Sequence, residues 1–200
     1  MKNAIVFLIL CLVLISCKTE KKSEVEKTVD NLSNTIKAAT QIDEIKEEVA
    51  DLSKITPISK EDFKSWLPDE IDGLKRTKYA SGNAMMANIS SIEATYQNED
   101  RTKEIKINVI DRAGEMGAAS TMGLTMMFSM DFDEETNESY KRTVTKNGIK
   151  AVEEYFTKQN RTELQMLQNN DRFYVNLNAK GYNPEASWKL INQFSFKDLE

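Results

Sequence analysis

No histidine occurs anywhere in this chain of 200 residues. That absence excludes the commonest general base, the usual zinc ligand and every Ser-His or Cys-His catalytic pair. The only two cysteines, Cys11 and Cys17, lie near the N-terminus, so the rest of the chain has neither a disulfide nor a thiol nucleophile. Nucleophile-elbow and phosphate-loop motifs are also missing. We therefore expect a protein that is not an enzyme and carries no cofactor.

The chain also lacks an excess of positive charge. The chain has 27 basic and 32 acidic residues, which give a formal net charge of −5. Proteins that bind nucleic acids need a basic surface for the phosphate backbone, so we expect no nucleic-acid partner. Hydrophobic residues make up 40% of the chain and charged residues 30%, with only 7 glycines and 3 prolines, a composition typical of a folded, soluble body.

The one long hydrophobic run, from Ala4 to Ile15, lies close to the N-terminus. It follows the positive charge of Lys2 and is followed by the polar, charged segment 18–24. The run is too short for a bilayer core of ~30 Å, which takes ~20 helical residues, but it suits the core of a signal peptide.

This run ends in Leu14-Ile15-Ser16-Cys17, which is an aliphatic residue, a tolerant position, a small residue and a cysteine. The order resembles the lipobox of bacterial lipoproteins. The resemblance implies a signal peptide at 1–16 and a mature chain that starts at Cys17, with a diacylglyceryl thioether and an N-acyl chain such as palmitate. In enterobacterial lipoproteins, Asp directly after the lipidated cysteine favours the inner membrane. By the same resemblance, Lys18 at that position points to the outer membrane, with the body facing the periplasm or the cell surface. The alternative is an ordinary cleaved signal peptide with an unmodified cysteine.

Residues 17–56 are predicted to form a charged, lipid-anchored helical spacer. Residues 23–53 contain no glycine or proline, and their apolar residues recur every three or four positions, as on one side of a helix. These positions are Val25, Val29, Leu32, Ile36, Ala39, Ile42, Ile45, Val49 and Leu52. The stripe either packs on the body or pairs as a short coiled coil, or the helix only holds the body off the membrane. We favour the spacer because Asn31, Ser33 and Asn34 weaken the helix.

Residues 57–200 are predicted to form one α+β globular domain. Ser59 is a helix cap, and Asn147-Gly148 is the strongest hairpin signal in the chain. We expect a mainly antiparallel sheet of six or seven strands, with helices 114–130 and 184–194 packed on one face. The clearest late strands are predicted at 138–146, 149–157, 162–168 and 172–179. The order of elements is similar to that of PsbP/Mog1-like domains.

Five of the chain's 9 methionines crowd the longer helix of this domain. Thioethers are soft ligands that favour Cu(I), and the weak candidates for such a site are Met122, Met126, Met127 and Met130. The spacing instead favours core packing, because Met116, Met127 and Met130 share one helix face, as core positions do.

An acidic segment follows that helix. Asp131, Asp133 and Glu135 are oxygen ligands of the kind that Ca²⁺ prefers. The EF-hand pattern is absent, so we interpret this segment as a solvated acidic loop.

Three further carboxylates lie on adjacent predicted strands, at Glu153, Glu154 and Glu163. Two acids that face each other across a cleft would suit glycosidase chemistry. Nothing in the sequence distinguishes these residues from surface charge, and they could equally pair with Lys150, Lys158 or Arg161.

The last predicted strand shows a clear period of two. Phe173, Val175 and Leu177 are apolar, and on the opposite face we expect a binding surface formed by Arg172, Tyr174 and Asn176. The leading hypothesis is therefore a membrane-anchored envelope lipoprotein that acts as a binding or interaction module for a protein partner or a small ligand. The alternatives are a carboxylate-dependent or metal-assisted enzyme and a Met-rich protein that handles Cu(I).

Overall fold

The computed structural model describes residues 42–82 and 89–199. The predicted signal peptide at 1–16, the predicted lipidation site Cys17 and spacer residues 18–41 lie outside the described residues. Residues from Ile42 onward form one compact unit. Within the described ranges, no helix has both the length and the apolar character needed to cross a membrane.

The first helix, α1, comprises residues 42–53 of the described chain. Its residues Ile45 and Leu52 are buried. The carboxylate of Glu48 lies 2.7 Å from the guanidinium of Arg112 and accepts a hydrogen bond of 3.2 Å from Thr125 Oγ1. Arg112 is fully buried and needs such a counter-charge. Residues 42–53, which the sequence predicts to be part of the spacer, therefore pack on the body.

The second helix, α2 (Lys60–Trp66), begins at the predicted cap. Ser59 Oγ accepts a hydrogen bond of 3.0 Å from the backbone N–H of Asp62, which satisfies one of the free donors at the helix start. Phe63 is fully buried, and its ring meets the ring of Phe173 edge to face at 6.3 Å. The helix is therefore fixed to the sheet by an aromatic contact.

Nine strands form the sheet within the described residues of the body. They are β1 (Glu70–Ile71), β2 (Leu74–Ser81), β3 (Ser91–Gln97), β4 (Glu104–Asp111), β5 (Asp133–Glu135), β6 (Ser139–Lys146), β7 (Ile149–Phe156), β8 (Arg161–Gln168) and β9 (Phe173–Lys180). All belong to one sheet in the order β1-β2-β3-β4-β9-β8-β7-β6-β5, and every neighbouring pair is antiparallel. The predicted α+β class with an antiparallel sheet is confirmed.

The strand count differs from the six or seven expected. The two strands at the edges, β1 and β5, have only two and three residues. Segments of that length show no alternation of apolar and polar residues, so the pattern of the sequence does not reveal them. Such short edge strands also limit pairing with the sheets of other chains.

The hairpin between β6 and β7 turns at the predicted Asn147-Gly148. Their φ angles are 53° and 80°. A two-residue turn of this kind needs positive φ at both positions, which asparagine and glycine adopt at low cost. The dipeptide therefore sets the register of the hairpin that it joins.

One face of the sheet, the core face, carries the main hydrophobic core. Its central side chains are fully buried, among them Ile105, Ile107, Val109, Leu164, Met166, Val175 and Leu177. Helix α2 covers this face together with α4 (Pro184–Ile191) and a short 3₁₀ helix, Phe196–Asp198. Helix α4 is capped by Asn183, and its buried residues include Trp188 and Leu190. Burying each large apolar side chain contributes roughly 1.5–3 kcal/mol.

Helix α3 (Gly114–Ser129) lies against the opposite face. Its Phe128 ring is 6.3 Å from the ring of Tyr174, which alternates along β9 with the core residues. The expectation that α3 and α4 share one face is therefore wrong. The reason lies in the apolar neighbours of Tyr174: Ile110 and Leu167 stand beside it on the adjacent strands. They give the second face an apolar corner, which α3 covers.

Candidate binding face of the sheet

Away from that corner, the second face of the sheet is polar. Its residues on β3, β4, β8 and β9 form the polar face, which consists of Glu93, Thr95, Lys106, Asn108, Glu163, Gln165, Asn176 and Asn178. The strand register aligns them in rows, because residues directly opposite each other on neighbouring strands share a face. Asn108 stands between Glu93 and Asn176, and Lys106 stands between Thr95 and Asn178. The side chain of Lys106 is 53% exposed.

Hydrogen bonds order the part of this face nearest to α3. Tyr174 Oη donates to Gln165 Oε1 at 3.1 Å. Gln165 Nε2 and Asn176 Nδ2 both donate to Glu163 Oε1, at 3.1 and 3.0 Å. Burial raises the pKa of Tyr174, so its hydroxyl stays a donor at neutral pH. Tyr174 and Asn176, both predicted to form the binding surface, are thus connected through Gln165 and Glu163. Those two residues were not predicted to be part of that surface.

Arg172 is not part of the polar face, and this element of the predicted surface is wrong. Its guanidinium binds Asp111, with Nε and Nη2 at 3.0 and 2.9 Å from the two carboxylate oxygens. The side chain is only 12% exposed. Alternation holds only inside a strand, and Arg172 precedes β9 in a turn where Asn169, Asn170 and Asp171 all have positive φ. The turn therefore directs Arg172 towards the buried carboxylate.

Asn108 adds an unusual feature to the polar face. Its Oδ1 atom is buried and has no hydrogen-bond partner among the residues that the structure describes. A buried amide oxygen without a hydrogen-bond partner lowers the stability of the fold by about 1–3 kcal/mol. Such unsatisfied buried groups are therefore unusual in folded proteins. The alternation of apolar and polar residues along β4 indicates that Asn108 faces away from the core, because Ile105, Ile107 and Val109 face the core.

The three glutamates considered for acid chemistry do not form one site. Glu153 lies on the core face, where it is fully buried and accepts hydrogen bonds from Tyr140, Arg142, Lys146 and Trp188. Glu154 and Glu163 are direct neighbours on β7 and β8. They lie on the open side of the sheet, and Glu163 already accepts two amide hydrogen bonds. Paired acids on an open sheet do not form the cleft that glycosidase chemistry requires.

Two of the three basic residues considered as partners of these glutamates pair with other acids. Lys150 pairs with Asp131 at 3.0 Å, and Lys158 pairs with Glu138. Only Arg161 lies near one of the three, at 3.6 Å from Glu163.

The acidic segment after α3 is exposed. Asp131 is 83% exposed in its pair with Lys150, and Asp133 and Glu135 lie on the edge strand β5 opposite Arg142 and Tyr140. Within residues 42–82 and 89–199, no three acidic, histidine or cysteine side chains are grouped so as to hold a metal ion.

The methionines of α3 are not core residues, which corrects the expectation from their spacing. Met116, Met122, Met126 and Met130 are 52, 44, 53 and 52% exposed, and Met127 is half-buried. The buried residues of α3 are Gly117, Ala118, Thr121 and Phe128. Helix α3 approaches the end of β4 closely, since a Cβ at Gly117 would lie 2.9 Å from the carbonyl carbon of Arg112. That approach requires glycine at position 117, and together with Phe128 it fixes the packed side of α3, which leaves Met116, Met122, Met126 and Met130 exposed.

Met166 is buried in the core, whereas Met85 and Met86 lie outside the described residues. The only α3 methionine near the packed side is therefore Met127.

An open cleft of about 440 Å³ lies between α3 and the turns at the adjoining end of the sheet. Its lining includes Phe128, Ile149, Lys150, Leu167 and Asn169. The volume falls in the range of small-molecule sites, which combine apolar walls with a few polar groups. A second open depression of about 510 Å³ lies on the polar face itself, where its lining includes Glu93, Thr95 and Lys106.

None of the family models, curated proteins or solved structures with which the chain was compared matches it. The similarities to bacterial lipoproteins and to PsbP/Mog1-like domains stay predictions.

Proposed function

We propose that this protein is an envelope lipoprotein, anchored through acylated Cys17, whose α+β domain binds a partner through the polar face. The partner is another envelope protein or a small ligand, and binding involves no catalysis. The observation that carries the proposal is the polar face itself. The part of this face nearest to α3 is ordered by side-chain hydrogen bonds, and farther along it the side chain of Lys106 is 53% exposed.

The chemistry of the polar face supports recognition of a polar surface. Asn108, Gln165, Asn176 and Asn178 each carry an amide, which can donate and accept hydrogen bonds. Lys106 and Glu163 place charges of opposite sign on either side of Asn178. A surface of mixed sign with many amides suits directional hydrogen bonding to a neutral or mixed-charge partner. It has no basic patch for nucleic acid.

The buried carboxylates support binding rather than catalysis. Asp111 and Glu153 are the two buried acids of the described part of the chain, and both accept several hydrogen bonds from backbone or side-chain donors. A general acid or base must reach a substrate proton within hydrogen-bond distance. Neither of these groups lines a described cleft.

Membrane attachment is tested with Cys17→Ser. Two or three acyl chains hold a protein stably at a bilayer, whereas a negatively charged body is not attracted to anionic lipid. We expect the variant to move from the membrane fraction to the soluble fraction after cell lysis. Cys11→Ser, which leaves the lipobox intact, should stay with the membrane. A Cys17→Ser protein that still sediments with membranes would show that the anchor is elsewhere.

The binding surface is tested by photocrosslinking in the protein's own cells. A photoreactive amino acid at Asn178 occupies the middle of the polar face, where the native side chain makes no hydrogen bond to another described side chain. The matched control is the same amino acid at Lys189, which is 73% exposed on α4. We expect one dominant adduct from position 178, none from 189, and loss of the adduct in Gln165→Ala/Asn176→Ala. Equal capture at both positions, or an adduct that survives the double substitution, would contradict binding through this face.

A further inference from the structure

The exposed methionines of α3 form a surface that the polar face does not explain. We call the exposed Met122, Met126 and Met130, together with the half-buried Met127 beside them, the methionine cluster. Burying a methionine side chain contributes roughly 1.5–3 kcal/mol, so a stripe of exposed methionines gives up stability that core positions would gain. Exposed apolar groups that lie together usually mark a site of interaction.

The helix geometry brings these sulfurs together. Met126 and Met130 are four residues apart, and Met127 and Met130 are three apart, so each pair has Cβ atoms about 5–6 Å apart on neighbouring turns. Met122 stands one turn before Met126. Met130 is the C-cap residue directly after Ser129, and its backbone N–H bonds to the carbonyl of Met127 at 3.2 Å, which holds it beside the last turn of the helix. Methionine has three flexible side-chain torsions, so the sulfurs can converge on one point above the helix.

The charges around the cluster favour a cation. The cluster lies at the C-terminal end of α3, where the helix dipole is negative and the last turn holds no basic residue. Asp131 follows directly and is 83% exposed. Two described lysines lie nearby: Lys150, whose Nζ is held by Asp131 Oδ1 at 3.0 Å, and Lys141, whose Nζ lies 4.4 Å from the centre of the Phe132 ring. The negative end of the helix dipole and the carboxylate of Asp131 place negative potential beside the soft, neutral donors.

We propose that Met126, Met127 and Met130, with Met122 as a fourth donor, bind Cu(I) through their thioether sulfurs. Thioethers select soft cations, whereas Ca²⁺ and Mg²⁺ take oxygen ligands. The chain has no histidine, and both of its cysteines precede the body, so methionine is the soft donor of this domain. Binding exchanges the ligands that deliver Cu(I) for sulfur and transfers no electron. The proposal does not depend on the polar face or on its partner.

The test is competition for Cu(I) with a chromogenic chelator. Mature protein, purified in detergent with its anchor, is compared with Met126→Leu/Met127→Leu/Met130→Leu, in which leucine keeps the side-chain volume. The control is Met116→Leu, an equally exposed methionine outside the cluster. We expect the wild type to withdraw one Cu(I) per chain, the triple variant to bind at least about tenfold more weakly, and the control to match the wild type. Repeating the titration with Cys17→Ser removes the sulfur of that residue from the result.

A second readout assigns the ligands. Ag(I), a redox-inert analogue, should shift the methionine methyl NMR signals of the cluster and leave those of Met116 and Met166 unchanged. Circular dichroism must show that the triple variant keeps its helices. No competition at micromolar protein would overturn the proposal, as would a triple variant that binds like the wild type. Equal weakening by Met116→Leu would overturn it too.

Discussion

Replacing Asp111 with alanine is expected to lower the free energy of unfolding by about 3–5 kcal/mol. Asp111 is fully buried at the end of β4. Its carboxylate accepts hydrogen bonds from the backbone N–H groups of Ile58 and Ala113 at 2.8 and 3.0 Å, and binds Arg172 through both oxygens. The residue thus joins three parts of the chain: the segment before α2, the start of α3 and the turn before β9. Alanine leaves two buried backbone donors without an acceptor and removes the counter-charge of the Arg172 guanidinium, which keeps only its hydrogen bond to the Thr56 carbonyl.

Urea unfolding, followed by circular dichroism and by the fluorescence of the two tryptophans, measures this effect. Asp111→Asn keeps one carbonyl oxygen and should lose less stability than alanine, so the comparison holds even where Asp111→Ala does not fold. Glu185→Ala is the control because Glu185 pairs with Lys189 at 2.8 Å on the exposed side of α4. Exposed pairs of this kind contribute little to stability, because water screens both charges. A loss for Asp111→Ala no larger than that of the control would contradict the role assigned to this carboxylate.

Replacing Glu153 is expected to have the second-largest effect. Its carboxylate is fully buried beneath α4 and accepts hydrogen bonds from Trp188 Nε1 at 2.8 Å and Lys146 Nζ at 3.1 Å. Two more come from Tyr140 and Arg142. Glu153→Ala should cost about 2–4 kcal/mol, because it leaves the indole N–H without an acceptor. The loss stays below that of a fully buried pair, since Arg142 and Lys146 are half exposed and can regain water.

The pH dependence of Glu153→Gln isolates the charge. Burial by itself raises the pKa of Glu153, but the hydrogen bonds from its four donors outweigh that effect and hold the pKa below its ordinary value of 4.5. A carboxyl whose pKa is lower in the folded state stabilises the fold above its unfolded pKa and loses that contribution as the pH falls. The stability difference between wild type and Glu153→Gln should therefore be full at pH 7 and shrink below pH 4.5.

Unfolding midpoints at a series of pH values between 3 and 7 measure that difference. Glu115→Gln, an exposed carboxylate at the start of α3, serves as the control. A difference between wild type and Glu153→Gln that stays constant over this range would contradict a charge-dependent role. It would leave shape alone as the reason for the loss.

Local signals in the sequence predicted the elements with regular backbones. The Ser59 cap of α2, the turn at Asn147-Gly148 and the alternation of β9 each depend on residues close together in the chain. Tyr174 and Asn176 were placed on the polar face for the same reason. Arg172 was misplaced because it lies one residue before the strand, where a turn of three residues with positive φ directs its side chain.

The methionines show why the periodicity of a helix does not identify its buried side. The stripe of α3 is regular, and regular apolar stripes usually face a core. Here the packed side of α3 carries Gly117, Ala118, Thr121 and Phe128, and the ring centre of Phe128 lies 6.3 Å from that of Tyr174 on β9. That contact joins residues whose spatial relation depends on the path of the whole chain.

The sequence by itself determined the class of this protein: an α+β domain with an antiparallel sheet, built without histidine and without cysteine in its body. These properties follow from composition and from patterns within each segment. Only the tertiary structure decided that α3 and α4 cover opposite faces, that Arg172 binds Asp111, and that the methionines face outward. Each of these features depends on contacts between residues far apart in the chain. Such contacts form when β4 pairs with β9 in the sheet. The sequence specifies which side chains are present, and the packing of distant segments determines which of them remain exposed.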